Sequence, residues 1–74
     1  MYNNVDFDMG VSETFVLDGN VVTIELGLDE RGRSVYRISW YNGHSWKHTY
    51  YRRNKEAWAT YKMITDTIRE MVED

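Results

Sequence analysis

The chain is 74 residues long, contains no cysteine and carries a formal net charge of −3 at pH 7. A chain of this length forms one small domain, and without cysteine it has neither disulfides nor a thiolate metal site to stabilise it. No apolar run approaches the roughly 20 residues of a membrane span. We therefore expect a single domain over residues 1–74, located in the cytoplasm and making no contact with a membrane.

Short alternating segments predict the first strands. Residues 4–9 alternate apolar and acidic side chains, which predicts either an edge strand or a loosely docked tail. Residues 13–17 and 20–28 are predicted strands joined by Asp18-Gly19, a two-residue turn of the hairpin type. This turn pairs Phe15 with Val22 on one face of the sheet.

A second turn, Glu30-Arg31-Gly32, leads into the predicted strand at residues 34–41. It sets Ile24 opposite Ile38 and places Glu25 beside Arg37. Because the two turns independently assign the same residues to one apolar face, that face is predicted to be the core face.

Asn42-Gly43 separates residues 34–41 from a further alternating segment at residues 45–52, which predicts another hairpin. A three-residue loop at 41–43 places Ile38 opposite Trp46 and puts Trp46 and His48 on the core face. A two-residue loop would put Lys47 there instead, and a one-residue slip reverses every side chain. The three-residue loop is therefore favoured.

Residues 55–72 have apolar side chains at helical spacing and contain no glycine or proline, with Asn54 placed to cap the helix. The expected fold is α+β: an antiparallel four- to five-stranded β-meander with one C-terminal helix packed across one face. The residues predicted to be buried together are Ile24, Leu26, Ile38, Trp40, Trp46, Trp58, Tyr61 and Ile68.

The sequence provides no pattern typical of an active site. His44 and His48 are the only histidines, and no cluster of carboxylates or cysteines near them completes a metal site. Neither histidine has an evident nucleophile and orienting acid, and the isolated glycines form no phosphate-binding loop. We expect a protein that is not an enzyme and that has no metal or cofactor.

Charge is segregated along the chain, because residues 1–30 contain seven acids and no Lys or Arg, whereas residues 31–55 contain seven bases and no acid. The basic segment and the open sheet face together supply one set of candidate binding residues. The acidic segment supplies the other, because its carboxylates have no basic cross-strand neighbour in the predicted register. The candidate residues are Asp6, Asp8, Glu13, Asp18, Arg37, Tyr41, Lys47 and Tyr51.

A short, acidic chain without cysteine or proline, folding as a meander plus one helix, resembles the small inhibitors encoded by phages and mobile elements, of which the anti-CRISPR proteins are the best-known group. The resemblance implies a protein that blocks a nucleic-acid or partner site on a host protein or protein–nucleic-acid complex in the host cytoplasm. Some such inhibitors present carboxylates in place of phosphates, and the candidates here are Asp6, Asp8, Glu13 and Asp18.

We expect a non-enzymatic protein-binding module, with a homodimer left open. The alternative function is binding of single-stranded nucleic acid by the open face, where Tyr41 and Tyr51 would stack bases and Arg37 and Lys47 would hold phosphates. The acidic composition of the chain makes direct binding of nucleic acid the less favoured of the two.

Overall fold

The computed structural model describes residues 4–7 and 10–73. These residues form four strands, β1 (Val11–Leu17), β2 (Asn20–Leu28), β3 (Ser34–Tyr41) and β4 (Trp46–Tyr51), followed by the helix α1 (Asn54–Glu73). The predicted α+β fold, a four-stranded antiparallel sheet with one C-terminal helix, is confirmed.

Residues 4–9 predicted a fifth strand as one alternative, and the described residues 4–7 of that segment do not form one. Within the described part of that segment, only Asp6 joins the sheet, as an isolated antiparallel bridge to Leu28. The backbone N–H of Asp6 donates to Leu28 O at 2.9 Å, and Leu28 N–H donates to Asp6 O at 3.0 Å. Asp8 and Met9 lie outside the described residues.

The strands lie in the order β1-β2-β3-β4, and every neighbouring pair is antiparallel. The first two predicted registers are confirmed, because Phe15 lies opposite Val22 and Ile24 lies opposite Ile38. The turn between β1 and β2 has positive φ at both Asp18 (50°) and Gly19 (78°), which matches the right-handed twist of the flanking strands.

The turn between β2 and β3 is built around the side chain of Asp29. Its Oδ1 accepts hydrogen bonds from the backbone N–H groups of Arg31 and Arg33, both at 2.9 Å. Its Oδ2 accepts one from the Arg52 guanidinium at 2.6 Å. The Arg33 backbone hydrogen bond and the Arg52 side chain hold the pKa of Asp29 well below its usual range. Asp29 thereby ties this turn to the segment that leads into α1.

α1 has 20 residues and crosses one face of the sheet, a length of about 30 Å. Its buried residues are Ala57, Tyr61, Thr65 and Ile68. They pack against the sheet residues Val22, Ile24 and Ile38, which together with Ala57, Tyr61 and Ile68 form the core. Leu26, Trp40 and Trp58 are half-buried rather than fully buried. Trp46, which was predicted to belong to this core, is 50% exposed.

Candidate functional site: the open face of the sheet

The register between β3 and β4 differs from the prediction and determines what the open face carries. Ile38 lies opposite Thr49 and Tyr41 lies opposite Trp46, whereas the prediction set Ile38 opposite Trp46. The predicted pairing is therefore wrong by three residues. Because side chains alternate along a strand, an odd shift turns every side chain of β4 to the other face.

The shift arises in the loop, which has four residues (42–45) instead of three. Asn42 organises it, because its Oδ1 accepts the backbone N–H groups of His44 at 2.9 Å and Ser45 at 3.1 Å. Gly43 has a φ of 98°, a left-handed conformation that glycine adopts readily. An asparagine side chain bonded to backbone two and three residues later stabilises this longer turn.

Two candidate binding residues change faces as a result. Lys47 and Tyr51 lie on the helix side of β4, where Tyr51 Oη accepts a hydrogen bond from Thr60 at 2.9 Å. The prediction that they share the open face with Arg37 and Tyr41 is wrong. His48, predicted on the core face, lies on the open face.

The open face is arranged in cross-strand rows, each contributed by all or most of the strands. At the end nearest the β1–β2 turn and the β3–β4 loop, paired residues form what we call the apolar row: Val16, Val21, Tyr41 and Trp46. With strands about 4.8 Å apart, this row is about 14 Å long. Val16 is 66% exposed and Trp46 is 50% exposed, so both ends of the row are open to solvent.

The aromatic end of the apolar row is a packed cluster. The rings of Tyr41 and Trp46 have centroids 5.2 Å apart and are tilted by 37°. Trp46 is nearly parallel to His48, with an interplanar angle of 3° and centroids 6.2 Å apart. Tyr41 Oη also donates a hydrogen bond to the carbonyl of Gly43 at 3.0 Å. These contacts hold a large aromatic surface in place while it remains accessible to solvent.

The next row along the strands carries three side-chain hydroxyls and one imidazole, and we call it the hydroxyl row. Its members are Thr14, Thr23, Ser39 and His48. Ser39 Oγ and His48 Nδ1 are hydrogen-bonded at 2.8 Å. Ser39 is only 3% exposed, so its hydroxyl is shielded from any substrate. The contact is suited to fixing the imidazole beside Trp46.

The third row, which we call the charged row, contains Glu25, Arg37 and Tyr50. The Arg37 guanidinium makes a bidentate ion pair with Glu25, with both N···O distances at 2.9 Å. This hydrogen bonding to Glu25 raises the pKa of Arg37 above its usual value. The predicted pairing of Glu25 with Arg37 is confirmed. Because its charge is neutralised within the sheet, Arg37 is a weaker phosphate ligand than the sequence suggested.

Phe7 covers the charged row and the end of the sheet beyond it. Its ring lies 4.2 Å from the Arg37 guanidinium carbon and 6.4 Å, between centroids, from the Tyr50 ring. The ring also lies directly over Gly27, whose cross-strand neighbour Val35 is fully buried. The two ends of the open face therefore differ: one is capped by the chain itself, and the other exposes the apolar row.

The predicted acidic residues do not come together on one surface. Asp6 joins the bridge to Leu28, and Asp18 is exposed in the β1–β2 turn at the same end of the sheet as the apolar row. Asp8 lies outside the described residues. Glu13 is on the helix side, because it lies two residues from Phe15 along β1 and its cross-strand partner is the core residue Ile24. Burial together with a hydrogen bond to Glu13 raises the pKa of Tyr61 to about 12.

Glu13 also borders a groove of about 340 Å³ between β1 and α1. Phe15 and Trp58 provide apolar walls, and the Arg69 guanidinium carbon lies 4.9 Å from the centre of the Phe15 ring. Lys62 and Arg69 on the helix are both paired with Asp66. The groove thus has its charges balanced internally.

The exposed residues of the open face that sequence reasoning missed are Trp46 and His48. The signal that could have located Trp46 and His48 was Asn42, whose side chain favours the longer loop.

Among the described residues, no group of three or more His, Cys, Asp or Glu side chains could hold a metal ion. No helix in the described part of the chain is both long and apolar enough to cross a membrane. Comparison with known protein families, curated proteins and solved structures found no match.

Proposed function

We propose that this domain is a non-enzymatic protein-binding module and that the apolar row is its contact surface. The observation that carries the proposal is Trp46, half exposed and packed against Tyr41 in a row that ends at exposed Val16. Tryptophan and tyrosine are the side chains that most often dominate the energy of protein interfaces. The hydroxyl row beside them supplies the polar border that such interfaces have.

The partner we propose is a host protein or protein–nucleic-acid complex, with the domain acting as an inhibitor of the kind encoded by phages and mobile elements. Of the predicted carboxylates, Asp18 is best placed for this role, because it is exposed in the turn next to Val16 and Val21. A carboxylate at the border of an apolar contact attracts a basic partner surface and raises the association rate.

Binding of single-stranded nucleic acid is the second candidate, and one observation favours it. The nearly parallel rings of Trp46 and His48 form a platform on which a base could stack. The charges around it are less suitable, because Arg37 is paired with Glu25 and Lys47 points to the helix side. Phosphate binding needs unneutralised cations near the stacking surface.

Affinity capture with a matched control tests the protein-binding proposal. Wild-type protein and a Met63→Ala variant are expected to capture the same partner from host lysate, because Met63 is 62% exposed on the helix, away from the apolar row. Trp46→Ala is expected to weaken that partner's affinity at least about 30-fold, the effect of losing roughly 2 kcal/mol at an interface hot spot. Equal affinities of Trp46→Ala and Met63→Ala would contradict the proposal.

The same partner tests the inhibitor role through Asp18. Asp18→Asn is expected to lower the association rate while leaving the dissociation rate nearly unchanged, and the difference should shrink as salt rises. An association rate that is unchanged at low salt would remove the carboxylate from the mechanism.

An oligonucleotide titration separates the two candidate functions. Fluorescence anisotropy with labelled single strands is expected to show no binding at physiological salt. Micromolar affinity that weakens steeply with salt and is lost in Trp46→Ala would instead favour nucleic acid as the partner.

A further inference from the structure

The outer edge of β4 is one of the two edges of the four-stranded sheet. β4 is the last strand in the order β1-β2-β3-β4, and no strand of the described residues pairs with its outer side. Residues 46–49 of this strand are exposed. Alternate residues of an edge strand present their backbone N–H and C=O groups outward, where another strand can bind them.

The two edges of the sheet are protected to different degrees. β1 carries an irregularity in register between Val11 and Glu13, and it is preceded by Gly10 with a φ of 98°. Such bulges and bends discourage the addition of another strand. β4 pairs with β3 over six consecutive residues without a shift, and Lys47 is the one Lys, Arg, Asp or Glu residue in it.

We propose that β4 is a self-association edge, at which a second copy of this chain adds its own β4 in antiparallel orientation about a two-fold axis. In an antiparallel pair of strands, residues directly opposite each other have their side chains on the same face of the sheet. Two sheets joined in this way therefore have their open faces on the same side. The product is a continuous eight-stranded sheet, with the two helices on its other side.

In the register centred on His48, the two copies' His48 side chains face each other and the flanking pairs bring no like charges together. That register sets Trp46 opposite Tyr50 of the second copy, an aromatic pair of the kind that stabilises antiparallel strands. Lys47 lies opposite Thr49 of the second copy, so no two lysines face each other. An unrelated extended peptide could make the same backbone bonds, but it would have to supply these complementary side chains independently.

The size of the contact sets the expected strength. A six-residue strand is about 20 Å long, and side chains on both faces make the contact roughly 20 Å wide. This corresponds to roughly 800 Å² of surface buried by the two copies together, which is below the range of standard stable interfaces. We therefore expect a weak dimer, observable at protein concentrations of about 10–500 μM.

Sedimentation equilibrium over that concentration range tests the proposal directly. The weight-average mass of the wild-type protein is expected to rise from that of the 8.9 kDa chain toward twice that value. Hydrogen exchange on the same samples is expected to slow at alternate amides of β4 as concentration increases, and no such change is expected in β1. A mass that stays at one chain throughout the range would overturn the proposal.

Charge variants at Thr49 test the register. In the proposed dimer, Thr49 of each copy faces Lys47 of the other, so one substitution changes two pairs. Thr49→Lys opposes like charges and is expected to weaken the dimer roughly fivefold, while Thr49→Glu is expected to strengthen it by a similar factor. Thr14→Lys and Thr14→Glu are matched controls on the exposed part of β1 and should leave the dissociation constant unchanged. Circular dichroism checks that each variant is folded.

Two results would overturn this arrangement. Equal effects of the Thr14 and Thr49 substitutions would place the contact elsewhere than at the β4 edge. Thr49→Lys and Thr49→Glu acting in the same direction would contradict the antiparallel register. The outcome is separate from that of the protein-binding proposal, because Thr49 lies on the helix side of β4, outside the apolar row. A monomer that binds a foreign peptide through β4 would also exclude the second copy as the occupant.

Discussion

Replacement of Gly27 by alanine is expected to release the N-terminal segment from the open face. A Cβ atom at this position would lie 2.7 Å from Asp6 O and 2.7 Å from Phe7 Cδ1. Carbon atoms essentially never approach a backbone oxygen this closely, so the segment has to move. The ring of Phe7 would then leave Arg37 and Tyr50, the side chains that it contacts.

The magnitude follows from the contacts that are lost. The bridge between Asp6 and Leu28 contains two backbone hydrogen bonds, each worth about 0.5–1.5 kcal/mol. The contact of Phe7 with Arg37 adds roughly 0.5–1 kcal/mol. Alanine restricts the unfolded chain and returns about 0.4–1 kcal/mol. The net loss is about 0.5–3.5 kcal/mol, which at its upper end is a large part of the stability of a small domain.

Urea unfolding of the wild type, Gly27→Ala, Phe7→Ala and the double variant measures this effect. Gly27→Ala is expected to cost less in the Phe7→Ala background, because the clash with the ring is already gone. Amide hydrogen exchange at Leu28, whose N–H donates to Asp6 O, should also be faster in Gly27→Ala than in the wild type. Unchanged or increased stability of Gly27→Ala, or identical costs in both backgrounds, would refute the reasoning.

Ile38→Ala, at a core residue that is 1% exposed, is expected to lower the free energy of unfolding by about 2–5 kcal/mol in urea titrations. The pKa of Tyr61 is raised to about 12 from an ordinary value of 10.0, so its contribution to stability is complete below pH 10 and declines as the pH rises toward 12. The melting temperature of Tyr61→Phe should therefore fall less than that of the wild type over this interval. Because the pKa of Asp29 is lowered, chiefly by backbone bonding and by Arg52, its stabilisation is present above about pH 3.9 and is lost on further acidification. At pH 7, Asp29→Asn is expected to unfold at a lower temperature than the wild type. As the pH falls below about 3.9, it is expected to lose less stability than the wild type does.

The sequence predicted the first three strands well because each turn between them has a strong local preference. Asp18-Gly19 favours positive φ at both positions, and the structure has it. The middle of one face of β2 and β3 is buried, as at Ile24 and Ile38, and a one-residue slip there would expose core side chains. Local turn chemistry and burial therefore agreed on a single register.

The fourth strand could not be placed by the same reasoning, because neither side of its first half is buried. Trp46 is 50% exposed on the open face, and Lys47 is exposed on the helix side. Alternation specifies a register only where one face is buried, so the pattern fitted two opposite assignments. The deciding contact was the Asn42 side chain, which bonds to the backbone of His44 and Ser45 and is not visible in a hydrophobic pattern.

The three rows give the open face a direction. Moving along the strands, a partner meets aromatic and aliphatic side chains first, then hydroxyls, and then the ion pair of Arg37 with Glu25 under Phe7. Successive rows are about 7 Å apart, close to the spacing of alternate residues in an extended peptide. For the binding function proposed above, this order of rows would favour one of the two orientations of a ligand.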